Sequence, residues 1–324
     1  MRVWKHSPLD AILVAVSLAQ FALTLWLASS WERYAVLGRV GSFFLLLLMM
    51  TYNIIVVSHV FTHVPWFTSI RLNGLVSMLN SINIGQSVQS YHLLHVRNHH
   101  RYNNDAKHKD GTTNDISSTY RDGVDGEHAS LYRYALVGGV STLVDVGRDL
   151  LSVTRVWCVG AQESKLHALM SRAAVRRSRE LRQIQMDRMS RFLGIVVFLL
   201  ISWRWTLECY LPAFYAALVL VNVQNYYEHY GAMPGSRMAD SVSYYGYFYN
   251  LLTFNDGYHQ EHHLRPLSHW SDLPVVREQN LALLNQVERI VSPTPAILGF
   301  LYFGRPLLHH RATSIPLSAA GPQS

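Results

Sequence analysis

Between Tyr91 and Arg101 the chain reads YHLLHVRNHHR, which places four histidines, His92, His95, His99 and His100, within nine positions. Residues three and four apart share a helical face, so the spacing predicts His92, His95 and His99 on one side with His100 beside them. Three further groups repeat the pattern. His59 and His63 close the run HVFTH, His229 lies in NYYEHYG (225–231), and HQEHH (259–263) is predicted to put His259, His262 and His263 on one face. With His95, His99 and His100 these make nine imidazoles in four clusters. Buried together without a metal, they would keep unpaired nitrogens and repel one another on protonation. Imidazole suits Zn, Cu, Fe and Ni. A zinc hydrolase of the HExxH kind is excluded, because residues 59–63 lack the Glu and residues 259–262 have the wrong spacing. Adjacent His-His pairs do not suit axial haem ligation. Nine nitrogens fit two ions with four or five ligands each, which favours a dinuclear redox centre.

The elements that must hold these rings are apolar. The chain is 49% hydrophobic and 15% charged, against about a quarter charged for a soluble domain. Leu9–Ser29 is nearly uncharged and long enough to cross a bilayer, reading as an anchor rather than a cleaved leader. Val40–Val57 returns and runs straight into His59. Phe192–Trp203 and Leu207–Val223 read as a second pair of spans, joined by a tight turn around Arg204–Thr206. Trp66–Ser90, interrupted by Asn and Gly, reads as a re-entrant or interfacial hairpin, and Leu131–Leu151 as an interfacial helix. Arg148–Arg191 carries ten basic residues against four acidic ones. Its apolar stripe Leu166, Met170, Ala173, Leu181 and Ile184 reads as an amphipathic helix on anionic headgroups.

The expected fold is therefore all-α and membrane-embedded. It has about four transmembrane helices in two hairpins beneath a cytosolic histidine cap. One domain is expected over residues 1–310, with a disordered tail over 311–324. Both termini, the histidine clusters and the Arg-rich stretch fall on one side, which the positive-inside rule makes the cytoplasm. The two cysteines, Cys158 and Cys209, suggest neither a disulfide framework nor a thiolate site.

In this arrangement HVFTH, HVRNHH (95–100) and HQEHH resemble the histidine boxes of the membrane fatty acid desaturase/hydroxylase superfamily, in the family's order and over roughly residues 35–270. NYYEHYG and the spacing of the second box are similar to the alkane monooxygenase branch. Leu94 and Asn98 stand where that branch carries Glu and Gly, and HHRYNND (99–105) with SSTYRDG (117–123) is more similar to acyl-lipid desaturases. The resemblance implies two non-haem iron ions that use O2 to attack an unactivated C–H bond of a fatty acyl or lipid chain. Its implied ligands are His59, His63, His95, His99, His100, His229, His259, His262 and His263, with His92 fitting neither ligand pattern.

Ligating histidines usually give their second N–H to a carboxylate or carbonyl. Glu228, Asp256, Asp105, Asp115 and Glu261 are the candidates, and Glu228 and Asp256, with Asn225 of the NYYEHYG motif, are the expected catalytic residues. The aromatic run Tyr244–Tyr249 with Phe254 and Tyr258 reads either as the lining of a path for the chain or as an interfacial belt. No CxxC set or Rossmann fingerprint is visible, so electrons are expected from a separate ferredoxin-, rubredoxin- or cytochrome b5-like donor drawn to the basic surface. The expected setting is a bacterial inner membrane, with no nucleic-acid partner. Hydroxylation, terminal alkane oxidation and decarboxylation to a terminal alkene use the same site chemistry. A metal transporter would instead place its ligands near the bilayer midplane.

Overall fold

The computed structural model describes residues 2–153 and 161–312. Cys158 and residues 313–324, most of the expected tail, lie outside the described residues. The chain begins with α1 (Asp10–Ser30) and α2 (Val36–Tyr52), and α2 passes through a π turn at Asn53–Ser58 into α3 (His59–His63). α4 (Ile70–Asn83) and α5 (Val88–Leu94) follow, and a π turn at His95–His99 leads into α6 (His100–Tyr102). A loop and a π turn at Arg133–Val137 precede α7 (Gly138–Val153), α8 (Ala161–Leu169) and α9 (Ala174–Trp205). A π turn at Thr206–Tyr210 joins α9 to α10 (Leu211–His229). The rest holds α11 (Tyr247–Leu252), α12 (His259–Leu264), α13 (Leu273–Gln286), a 3-10 turn at Ala296–Leu301 and α14 (His309–Ala312). Among the described residues the only β structure is two isolated bridges, Trp4 with Phe67 and Ser243 with Val291. The chain divides into two compact units, Met1–Asn98 with Tyr132–Asn222 and His99–Leu131 with Val223–Ser324.

The first unit carries the apolar helices. Three stretches among the described residues are long and apolar enough to cross a membrane: Asp10–Arg33, Val36–His63 and Ala174–His229. The pair of spans expected on either side of Arg204–Thr206 is one helical stretch, broken only at Ser202, whose φ of −158° and ψ of 101° are non-helical. The chain nevertheless turns back there. The Phe198 and Tyr210 rings lie 5.2 Å apart, where twelve residues of straight helix would separate them by about 18 Å. The polarity of this unit is inverted relative to a soluble bundle. α1 buries Ser17, Gln20 and Thr24 while exposing Ile12, Leu18 and Trp26. Such a surface is stable only against hydrocarbon, so the protein is an integral membrane protein.

Buried amides lock the first unit and aim the HVFTH run. Asn53 donates to Gln20 Oε1 (2.7 Å) and Asn80 Oδ1 (3.1 Å), and its own Oδ1 accepts from Ser58 Oγ (2.7 Å). Gln20 and Asn83 close the ring by bonding the Asn83 and Ser17 carbonyls, so α1, α2 and α4 interlock where water cannot compete. The segment read as a re-entrant hairpin is α4 and α5, turned at Gly85. Its φ is +68°, and a Cβ there would lie 2.8 Å from the Phe214 ring, so only glycine fits. Asp187 of α9 fixes the start of α5. Its carboxylate accepts from Ser77 Oγ, Ser87 Oγ, Gln89 N and Gln183 Nε2 at 2.8–3.1 Å.

The apolar stripe expected to lie on headgroups is covered by protein. Leu166, Met170 and Ile184 are buried against Leu93, with Leu181 and Leu94 at the margin, and Ala173 is exposed ahead of α9. The stripe therefore packs on α5 rather than on lipid. Part of the basic excess is also held in ion pairs, with Arg188 and Arg191 buried. Asp149 of α7 pairs with Arg188 and Arg191, and Glu180 pairs with Arg97 and Arg176.

Candidate metal centre

His59 and His63 lie one turn apart at the end of the second apolar stretch, and His95 reaches them from the π turn after α5. Their ring centroids are 4.6–5.1 Å apart, and His59 Nε2 faces His95 Nε2 at 3.0 Å. His59 Nδ1 is held by the Ile55 carbonyl at 3.0 Å, which leaves the lone pair on Nε2. His92 has a different task. Its Nδ1 bonds the Thr62 carbonyl at 2.7 Å and so ties α5 to α3. Burial, the largest effect, lowers its pKa and keeps it neutral.

The shared face expected for His92, His95 and His99 therefore splits. His92 and His95 face α3, whereas His99 turns into the second unit. The π turn over 95–99 is the reason, since its wider winding rotates His99 off the α-helical row.

The second unit holds six of the nine. His99, His229, His259 and His263 are buried and present ligand nitrogens within 4.8 Å of one another. His229 Nε2 lies 3.2 Å from His99 Nε2 and 3.4 Å from His259 Nε2. His100 and His262 form a neighbouring pair with ring centroids at 4.6 Å, and His100 lies 4.4 Å from His263. HQEHH forms α12, on which the His259, His262 and His263 rings lie 4.6–6.1 Å apart as one face requires; His259 and His263 join the buried group, and His262 pairs with His100.

The second nitrogens are anchored one by one. His99 Nδ1 bonds Asp115 Oδ2 at 2.7 Å. His229 Nδ1 bonds the Asp240 carbonyl at 3.1 Å, and His263 Nδ1 bonds Asn103 Oδ1 at 3.2 Å. His259 Nδ1 lies 3.6 Å from Glu228 Oε1. The Nε2 atoms of His99 and His229 face each other at 3.2 Å, an approach that a shared metal ion or a proton between them stabilises. Metal–nitrogen bonds of about 2.1 Å place neighbouring nitrogens about 3.0 Å apart at right angles and about 3.4 Å apart in a tetrahedron. The observed 3.0–3.4 Å separations fall in that range. His263 Nε2 is buried without a hydrogen-bond partner. Burial first, then the neighbouring imidazoles of His259, His229 and His99, push the His263 pKa well down and leave it a neutral donor. The donor set fits a transition-metal ion.

Of the other expected residues, Asp115 is the carboxylate on a histidine, and its setting is built for an anion. Burial alone would raise its pKa. His99 and the Asn104 and Ser117 amides outweigh that and hold it low. Asp105 supports it one step back by accepting from the Asp115 and Asn114 amides. Glu261 bonds Ser243 and Tyr245 rather than an imidazole. Asp256 Oδ2 accepts from Gln224 Nε2 (3.0 Å) and Tyr249 Oη (2.8 Å), and the same Gln224 nitrogen donates to Glu228 Oε1 at 2.6 Å. Asn225 Nδ2 bonds the Ser117 carbonyl at 3.5 Å, beside the Asp115 loop.

Gln224, Glu228, Tyr244, Tyr249, Asp256 and His259 line a small pocket. Gln224, Asn103 and the Asp240 carbonyl are groups beside the histidines that sequence reasoning missed. The one available signal was Gln224 standing a helical turn before Glu228. The two consecutive left-handed residues Asn103 and Asn104 (φ 47° and 57°) turn the chain after α6 and aim the Asn103 amide at His263.

Residues 35–295 match the family model described as fatty acid desaturase. The chain belongs to the fatty acid desaturase family. A stretch of 84 residues is also 32% identical to the sphingolipid delta(4)-desaturase of Komagataella phaffii, covering 26% of this chain and 23% of that protein. The matched stretch thus spans about a quarter of that relative. The histidine clusters of this family member fit a metal site.

Proposed function

We propose that the protein inserts a double bond into the hydrocarbon chain of a fatty acyl lipid, using O2 and two electrons at a diiron site. The overall change removes one hydrogen from each of two adjacent carbons and, with O2, two electrons and two protons, yields the alkene and two waters. The observation that carries the reading is the buried group His99, His229, His259 and His263, whose ring nitrogens lie at metal-ligand spacing in a chain of this family. One iron would be held by this group, and the family resemblance implies the rest of the nine histidines as ligands of the second. When bound, the irons supply the oxidising power that breaks the C–H bonds.

The protein's own groups hold and orient. Asp115 keeps the His99 ring in one tautomer, and Glu228, with Gln224 and Asp256 behind it, stands beside the His259 ring. Asn225 steadies the Asp115 loop. The chain of the substrate approaches from the bilayer, past α11, whose Tyr247, Phe248, Leu251 and Leu252 are exposed while Tyr249 turns inward to Gln224. Four crossings, a cytosolic site in a bacterial inner membrane and a small acidic redox protein as electron donor complete the reading. The NYYEHYG motif favours hydroxylation as the second outcome.

Mass spectrometry of lipids and volatiles from cells expressing the chain tests this, with His99→Ala as the inactive control. A new double bond is expected. A hydroxyl or a shortened terminal alkene would replace desaturation by that outcome, and no change relative to His99→Ala would sink the catalytic reading.

A further inference from the structure

A second group of ligand-type side chains stands apart from the nine histidines, within the second unit. Glu127, His309 and His310 come from segments more than 180 residues apart and present ligand atoms within 4.8 Å of one another. His309 Nε2 lies 3.0 Å from Glu127 Oε2, and His310 Nε2 lies 2.7 Å from Glu127 Oε1. Both sides are held by rigid backbone. Glu127 follows a tight turn with left-handed Asp125 and Gly126 (φ 53° and 81°). A Cβ at Gly123 would lie 1.8 Å from the Glu127 carbonyl oxygen, so the turn closes only around glycine. On the other side Leu308 is fully buried, packed with Ala232, Val242 and Ile290, and the Leu308 and His309 amides both bond the Gly231 carbonyl.

The His309 side chain is 5% exposed, whereas Glu127 and His310 are half-exposed. A side chain fixed from within and two reachable from solvent form an open three-ligand site. His128, whose ring lies 4.5 Å from His309, is not a fourth ligand. Its Nδ1 is engaged by Thr119 Oγ1, and its Nε2 accepts from the Gly231 amide.

We infer that Glu127, His309 and His310 form a binding site for a divalent transition ion of the zinc class, separate from the nine-histidine set. Two imidazoles and a carboxylate suit such an ion and leave coordination positions for water. The ion clasps the segment 309–311 onto the loop that carries Asp115. Mass action makes that clasp stabilising, since the ion binds the folded arrangement and not the separated segments.

The test counts metal by difference, so it does not depend on what the nine histidines hold. The full chain in detergent, with Glu127→Gln and His310→Ala alongside, is equilibrated with micromolar Zn2+, desalted and assayed for metal. The wild type is expected to retain one equivalent more than either variant, and added Zn2+ should raise its thermal midpoint further than theirs. Cu2+ loaded in place of zinc should show nitrogen coupling in its EPR spectrum that His310→Ala reduces. Equal metal content in all three proteins, with unfolding midpoints matched in the absence of metal, would overturn the site and leave a hydrogen-bonded latch only.

Discussion

Asp115 shows what a single carboxylate contributes to a site of this kind. It accepts from the His99 ring and from two backbone amides in a fully buried setting, so it fixes both the tautomer and the rotation of the ring. Losing such a partner typically costs about 10–100-fold in metal affinity. Asp115→Asn should therefore lower bound iron and activity together, read by iron content per chain at controlled free iron. Unchanged iron content would remove Asp115 from this role.

Asp240 makes the opposite electrostatic bargain. Burial pushes its carboxyl up from 3.8 to about 7, against the Gln260 and Ser241 hydrogen bonds that favour the anion. Because the folded value lies above the unfolded one, the side chain favours folding fully only below about pH 4, and that contribution is lost as pH rises towards 7. Asp240→Asn keeps the acceptor oxygen and removes the charge. The metal-free variant should unfold a few degrees higher than wild type at pH 8 and should not at pH 4.5, by thermal scans in detergent. A variant that tracks wild type at both pH values contradicts this.

At the scale of elements, the two units meet the chemistry through short helical irregularities. The π turn at Asn53–Ser58 delivers His59, and the π turn at His95–His99 parts His95 from His99. Asp187 fixes the start of α5, the helix that leads into the second of these, because its carboxylate gathers three side-chain donors and the Gln89 amide there. Asp187→Ala strands those donors in a buried place, which costs about 1–3 kcal/mol for each group left unsatisfied. It should lower the unfolding midpoint far more than Ser77→Ala does and reduce iron content as α5 loosens. Equal effects of the two substitutions would mean that Asp187 is not the anchor.

Across the whole molecule, apolar side chains face outward from the long helices, and positive charge is concentrated in the first half of α9. Arg176 is engaged by Glu180, but Arg179 and Arg182 are exposed on the same helix. Surface charge of one sign raises the encounter rate with a partner of the other, and salt screens it. Charge reversal at Arg179 and Arg182 should slow turnover several-fold with an acidic protein donor at low salt while leaving turnover with a small chemical reductant unchanged. An equal loss with both reductants would point to misfolding rather than docking.

The sequence by itself determined that the chain is helical and membrane-embedded, because long apolar runs admit no other solution in hydrocarbon. It also determined which histidines are candidates, since clusters such as HVRNHH and HQEHH are local patterns. Only the tertiary structure decided how those clusters divide. His92 bonds a carbonyl, His95 joins His59 and His63, and His262 pairs with His100. Face assignments drawn from ideal α-helical spacing fail at π turns, whose extra residue is not legible in composition or period. The partners of the ligands, Asp115, Asn103, Gln224 and the Asp240 carbonyl, come from loops and neighbouring helices that no spacing rule connects. The stripe around Leu166 and Ile184 carried the right amphipathic signal, but a periodic pattern states only that one face is covered. Packing decided that Leu93, and not lipid, covers it.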